Sequence, residues 1–322
     1  MDLSHYDPEL VAAITAPGAA LPPPLHADGI AARRRFSDAL PRIEETLRGR
    51  AVRRIEREAP SLDLSGTRLP VAVFSPRAAW TSPRPAIYFI HGGGMIAGNR
   101  HGGVEQLLDW VERYGVIVVS IEYRLAPEHP DPAPVEDCYA GLVWMAEHAP
   151  ELGIDPAALM VMGASAGGGL AAGVVLLSRD RSGPRIAAQL LDFPMLDDRN
   201  DTPSTRRFEH APVWPRTSST TAWNALLGDR SNPASPYAAP TRMTDLSELP
   251  PAFIDVGSAE IFFDEDVAFA QALANAGTTV ELHVWAGGFH NFERYAPDSR
   301  LSAAARAARE SWVVRTLGLE PA

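Results

Sequence analysis

Ser165 sits in the pattern Gly163-Ala164-Ser165-Ala166-Gly167, between the apolar run "ALMVM" at 158–162 and an uncharged stretch of helical character. A sharp strand-to-helix turn lifts a serine hydroxyl clear of a sheet, and only small neighbours fit where the backbone is so crowded. The following helix points its positive end at the same place, which favours developing negative charge. Five residues alone also fit a glycine-rich turn whose serine merely caps a helix. A dinucleotide-binding loop is the other glycine-rich candidate, but "GASAGG" lacks the G-x-G-x-x-G spacing and does not open the first βαβ unit.

A second stretch, "FIHGGGMIAG" at 89–98, follows an apolar strand and carries three glycines in a row. In acyl transfer the tetrahedral intermediate needs backbone N–H donors aimed at its oxygen, and side chains on such a loop would obstruct them. Gly93 and Gly94, with the N–H of Ala166 after the serine, are the natural donors for an oxyanion hole. His91 is read as a hydrogen bonder that fixes the loop, not as acid or base. A third stretch, "GSAEIFFDED" at 257–266, crowds four carboxylates after the apolar run "AFIDV". Acidic residues at that density usually mark a helix N-terminus, so chemistry for one of them needs a further reason.

The elements that position these residues follow from the pattern of the chain. From about residue 66, the runs "LPVAVFSP", "AIYFIH", "VIVVSI", "ALMVM", "IAAQLLDF", "AFIDV" and "TVELHVW" alternate with helical stretches near 103–114, 133–148, 166–180, 265–276 and 301–316. Continuous apolar strands separated by helices predict an α/β fold with a mostly parallel sheet covered on both faces. Residues 1–45 and 198–245 fall outside the alternation. The second is rich in Pro, Thr, Ser and Trp and has no strand pattern, which suits a lid or binding element. Both are expected to form a helical cap over one edge of the sheet, leaving 46–197 and 246–322 as the two parts of the core.

Composition excludes several classes. The net charge of −11 argues against nucleic acid and anionic membranes as partners. The Arg-rich patches at 33–36 and 48–58 are diluted by Glu and read as solvated or salt-bridged surface. All 29 basic residues are Arg, so Schiff-base chemistry, pyridoxal phosphate attachment and a P-loop lysine are all absent. Cys138, the single cysteine, stands at helical spacing among Val135, Ala140 and Leu142 and is expected to be a small buried hydrophobe. The N-terminus shows no secretory pattern, and the uncharged stretch 157–178 is too rich in central Gly for a membrane span. A cytoplasmic, soluble protein is expected, with a homo-oligomer left open.

The two glycine motifs, 74 residues apart from His91 to Ser165, and the intervening "EYRLAPEHPDPAPVEDCYAGLVWM" resemble the hormone-sensitive lipase family of bacterial α/β-hydrolase esterases from about residue 50 to about 315. The resemblance implies an α/β-hydrolase fold, a dedicated cap, a Ser-His-acid triad, a small ester as substrate and no cofactor or metal. The order serine, acid, histidine on this fold places the base at His290 in "WAGGFHNFE", after the last candidate strand. Relatives usually have His-Gly-Phe where this chain has His290, Asn291 and Phe292, and Asp131 stands where an apolar or aromatic residue is common. Relatives carry the acid on the loop after the "AFIDV" strand, four residues before an Asp-Glu pair. Here the pair is Asp264 and Glu265, so Glu260 takes the position in place of the more usual Asp, with Asp264 and then Asp255 as alternatives. Asp264, Glu265 and Asp266 otherwise remain first-turn acids.

Within 198–245, Phe208, Val213 and Trp214 are interrupted by prolines and are expected to wall a substrate pocket, while Trp223, Leu226 and Leu227 have helix-packing spacing. An apolar wall beside a serine nucleophile suits acyl chains or small aromatic esters. An amidase, lactonase or deacetylase would use the same triad, and a non-catalytic receptor on the same fold is the reading from another class.

Overall fold

The computed structural model describes residues 3–38, 42–63, 66–228 and 233–321. Parts of the two expected cap segments, at 1–2, 39–41 and 229–232, therefore lie outside the described residues. The strands are β1 (Val52–Pro60), β2 (Arg68–Pro76), β3 (Arg84–Ile90), β4 (Ile117–Ile121), β5 (Ile154–Ala164), β6 (Ala188–Asp192), β7 (Ala252–Gly257) and β8 (Val280–Trp285). The helices are α1 (Pro8–Thr15), α2 (Ile30–Asp38), α3 (Ile43–Thr46), α4 (Glu105–Tyr114), α5 (Ala133–Glu147), α6 (Ala149–Leu152), α7 (Ala166–Asp180), α8 (Pro203–Arg207), α9 (Arg216–Leu227), α10 (Phe263–Asn275), α11 (Phe292–Tyr295) and α12 (Arg300–Leu317).

The described strands form one eight-stranded sheet in the order β1-β2-β4-β3-β5-β6-β7-β8. β2 runs antiparallel to β1 and β4, and every other pair is parallel. The fold is that of an α/β hydrolase. Alternation along a strand divides the core: Ala86, Tyr88 and Ile90 of β3 pack on one face, Ile87 and Phe89 on the other. Helices α5 and α7 contribute to the first core, α4 and α12 to the second, so the central strands are buried on both sides and read as unbroken apolar runs.

Each of the seven expected strands is present, but the sheet has one more. β1 pairs with β2 from Val52↔Pro76 to Pro60↔Arg68, in a stretch whose sequence reads only as charged surface. It is an edge strand in which only Val52 and Ala59 are buried, so no apolar alternation announces it. Its charges are indeed salt-bridged: Arg54 meets Glu44 at 2.9 Å and Arg100 meets Glu56 at 2.9 Å. The stretch 157–178 divides between β5 and α7, and no described helix is long and apolar enough to cross a membrane. Cys138 is fully buried in α5, where desolvation pushes its thiol well above the ordinary range.

The two segments outside the alternation pack on each other. Ser218 of α9 accepts from the Leu25 N–H at 2.9 Å, and Thr221 donates to the Leu25 carbonyl at 3.0 Å. Tyr6 stands between Phe208 and Phe289, with ring centroids 6.4 and 6.2 Å away. The N-terminal segment thereby reaches the loop that carries His290.

Candidate active site

Ser165 occupies a turn that its neighbours force. Its φ of 58° and ψ of −123° are a strained combination for a residue with a side chain. The turn closes tightly: a Cβ on Gly163 would lie 2.1 Å from the Gly167 carbonyl oxygen, and one on Gly167 2.1 Å from that of Ile90. The Ser165 N–H donates to the Asp192 carbonyl and its own carbonyl accepts from Met195, both at 2.9 Å, which pins the turn to the end of β6. The hydroxyl is left pointing away from the sheet.

The loops after β7 and β8 are laced together, and this brings Glu260 and His290 to Ser165. Ala259 N–H donates to the Gly288 carbonyl at 2.9 Å, Ser258 N–H to that of Trp285 at 2.9 Å, and Gly287 N–H to Ser258 Oγ at 2.9 Å. His290 Nε2 then lies 3.0 Å from Ser165 Oγ, and Nδ1 lies 2.6 Å from Glu260 Oε2. The other carboxylate oxygen of Glu260 accepts from the Gly257 N–H at 3.1 Å. Glu260 is 0% exposed, His290 5% and Ser165 8%, so the line is shielded yet open at the serine end. Asn291 follows His290 with φ 57°, a left-handed conformation that Gly adopts freely and that Asn tolerates better than most residues.

The glycine loop after β3 shows why its glycines are needed. Gly93 has φ 120°, and its carbonyl accepts from the N–H groups of Ile96 and Ala97 at 3.3 and 3.1 Å, folding the loop into a turn. The N–H groups of Gly93, Gly94 and Ala166 have no backbone acceptor among the described residues. His91 is buried, stacks on Tyr123 with centroids 4.2 Å apart, and its Nδ1 lies 2.8 Å from the Gly92 carbonyl. Burial lowers its pKa to about 4, so at neutral pH it is an uncharged structural ring that holds the loop.

The alternative acids are engaged elsewhere. Asp255 accepts from Trp285 Nε1 at 2.8 Å and from Arg309 Nε at 2.9 Å. Asp264 accepts from the Ser204 N–H at 2.5 Å. Glu265 accepts from the N–H groups of Leu196 and Asp197 at 2.8 and 3.1 Å. Asp264, Glu265 and Asp266 stand in the first turn of α10 as expected, with Asp264 half-buried. Glu265 and Asp266 are buried, and both carboxyls are pushed well above the usual range, chiefly by desolvation.

Of the three residues expected to wall a pocket, Trp214 reaches the site. Its ring centroid is 6.2 Å from that of His290, and a Cβ on Gly94 would meet its Cη2 at 2.7 Å. Phe208 packs instead beside His5 and Tyr6, and Val213 is buried in the same core. The sequence reading missed Phe193 and Phe262, whose rings stand edge-on to His290 at 4.9 and 5.2 Å. Both positions were legible in retrospect, one following β6 and the other two residues after Glu260. No group of three or more His, Cys, Asp or Glu residues among the described residues is arranged to hold a metal ion.

Residues 87–294 match the family described as alpha/beta hydrolase fold, Abhydrolase_3. The chain is similar to Esterase LipI of Mycobacterium tuberculosis, 32% identical over 84% of this chain and 86% of that one. It is also similar to Carboxylesterase NlhH of the same species, 35% identical over 72% of this chain and 74% of that one. Among solved structures, a bacterial heroin esterase superposes with a TM-score of 0.90 at 36% identity, covering 98% of this chain and 99% of that one. With family match, fold and relatives in agreement, the chain belongs to the hormone-sensitive lipase-like family of α/β hydrolases and is a carboxylic ester hydrolase.

Proposed function

We propose that the protein is a serine carboxylesterase working through Ser165, His290 and Glu260. The observation that carries the reading is the hydrogen-bonded line from Ser165 Oγ to His290 Nε2 at 3.0 Å and from Nδ1 to Glu260 at 2.6 Å. Ser165 Oγ attacks the ester carbonyl while Nε2 takes its proton. Glu260 accepts from Nδ1–H, fixes the tautomer and stabilises the imidazolium. The N–H groups of Gly93, Gly94 and Ala166 receive the oxyanion. Collapse of the tetrahedral intermediate returns the proton from Nε2 to the leaving alcohol, and water, activated by the same nitrogen, then releases the acid from the acyl-enzyme.

Trp214, Phe193 and Phe262 give the site apolar walls, which suit short to medium acyl chains or small aromatic esters. The described parts of segments 1–45 and 198–245 act together as the cap that holds Trp214 in place. An acyl series of p-nitrophenyl esters from C2 to C12 tests the substrate class. Ser165→Ala tests the nucleophile, with activity expected to fall by about 10⁴ or more. A phenylmethylsulfonyl adduct on a peptide other than the one containing Ser165 would overturn the assignment.

A further inference from the structure

We propose that Arg33 recognises the far end of the substrate, so that the enzyme favours esters carrying a carboxylate remote from the scissile bond. The inference rests on the ester-hydrolysing mechanism above and names the substrate class of that same site. It begins with the way α2 is fastened beside the oxyanion loop. Arg34 donates from Nε to the Ile96 carbonyl at 2.7 Å and from Nη2 to that of Ala126 at 2.9 Å, and it pairs with Glu128 at 2.7 Å. Arg33, its neighbour on the helix, holds its guanidinium 5.6 Å over the Trp214 ring. That ring in turn touches Gly94 of the oxyanion loop and lies 6.2 Å from His290. Arg33 therefore stands one aromatic ring away from both the oxyanion donors and the base.

Arg33 is an arginine beside the site that has no carboxylate counterion among the described residues. Other arginines have acids beside them: Arg124 has Asp137 at 2.7 Å, Arg242 has Asp198 at 2.5 Å, and Arg309 has Asp192 at 2.8 Å. Arg33 is half-buried, yet no carboxylate lies within ion-pair distance of it among the described residues. The protein acceptor it does meet is the Pro23 carbonyl, 2.6 Å from Nη2. In a chain of net charge −11, a half-buried guanidinium stacked on Trp214 with no carboxylate beside it keeps its charge available to an anionic group. The planar fork it presents suits bidentate capture of a carboxylate, and the flat apolar face of Trp214 gives the intervening part of the substrate a surface to lie on.

The test compares matched esters on the purified full-length protein. Mono-p-nitrophenyl adipate against p-nitrophenyl hexanoate places the charge on the acyl half, and p-acetoxybenzoate against phenyl acetate places it on the alcohol half. In at least one pair, Arg33→Met is expected to lower the ratio of anionic to neutral kcat/KM by about tenfold, mainly through KM, as loss of a charge-assisted contact requires. Arg33→Lys should recover part of the ratio, and added salt should erode it in the parent enzyme. Equal losses on the charged and neutral esters would mean that Arg33 only supports Trp214, and unchanged ratios in both pairs would likewise overturn the proposal. If the parent enzyme turned over none of the four esters, the esterase reading itself would fall and this inference with it. Turnover of the neutral esters with no effect at Arg33 would remove this inference alone.

Discussion

Replacing Glu260 with Gln changes one atom at a place where both carboxylate oxygens are committed. Oε1 accepts from the Gly257 N–H at 3.1 Å and Oε2 meets His290 Nδ1 at 2.6 Å, with the side chain fully buried. An amide has only one acceptor. If its oxygen stays on Gly257, its NH₂ faces Nδ1, so the imidazole must carry its proton on Nε2 and cannot accept one from Ser165. If the oxygen turns to His290, the NH₂ opposes the Gly257 N–H, leaving buried donors unpaired at a cost of about 1–3 kcal/mol. In either arrangement the imidazolium loses its counter-charge. A wrong-tautomer amide in a triad of this type costs about 10⁴ in kcat, or roughly 5.5 kcal/mol at about 1.36 kcal/mol per decade. The expected fall for Glu260→Gln is about 10² to 10⁴ in kcat, with little change in KM because no substrate contact is lost. Release of p-nitrophenol from p-nitrophenyl acetate measures both constants, and circular dichroism checks the fold. Asp264→Asn, which disturbs only the acceptor for the Ser204 N–H, should keep most of the activity. A Glu260→Gln enzyme retaining a tenth of the parent kcat, or a dead Asp264→Asn beside a live Glu260→Gln, would refute the reasoning.

In the oxyanion loop, Gly93→Ala should be more damaging than Gly94→Ala. Its Cβ would sit 2.1 Å from the backbone oxygen of Ala97, whereas that on Gly94 meets side chains rather than backbone, the edge of the Trp214 ring at 2.7 Å and the Ala222 methyl at 3.1 Å. Steady-state kcat should fall by roughly 10² for Gly94→Ala and further for Gly93→Ala, and the reverse order would contradict the loop geometry. His91 sets an acid limit on stability: its pKa falls from 6.5 to about 4 on burial, so the unfolded chain takes up a proton that the native state refuses between those values. Its contribution is fully present above pH 6.5 and is lost on acidification toward pH 4, by up to about 3 kcal/mol. Urea midpoints of His91→Gln should therefore fall less steeply than those of the parent across that window, and parallel slopes would exclude the mechanism. Arg309→Met should destabilise the protein by about 3–5 kcal/mol, because it strips the cation from Asp192, Asp255 and Glu293. A urea midpoint close to the parent's would overturn that expectation.

The crowded turn at Ser165 and the glycine loop at 92–94 were legible in the chain because the constraints that shape them are local. A serine in a crowded strand-to-helix turn needs small residues within two positions on either side, and backbone donors need glycines where a Cβ would collide with the chain. Central strands were legible for a similar reason, since burial on both faces leaves an unbroken apolar run such as "IVVSI" in β4. β1 was not, because an edge strand carries Arg and Glu toward solvent and its partner supplies only backbone hydrogen bonds. The roles of the four carboxylates after β7 are also beyond what spacing alone decides. The resemblance to known esterases pointed to Glu260, but its 2.6 Å approach to His290 depends on two loops laced together from distant parts of the chain. The same distance in sequence hides Arg33 from Trp214, 181 positions away, and Asp255 from Arg309. Short-range sterics and periodicity are written in neighbouring residues, whereas the pairing of buried charges depends on which elements the sheet order sets side by side, and only the tertiary structure decided that.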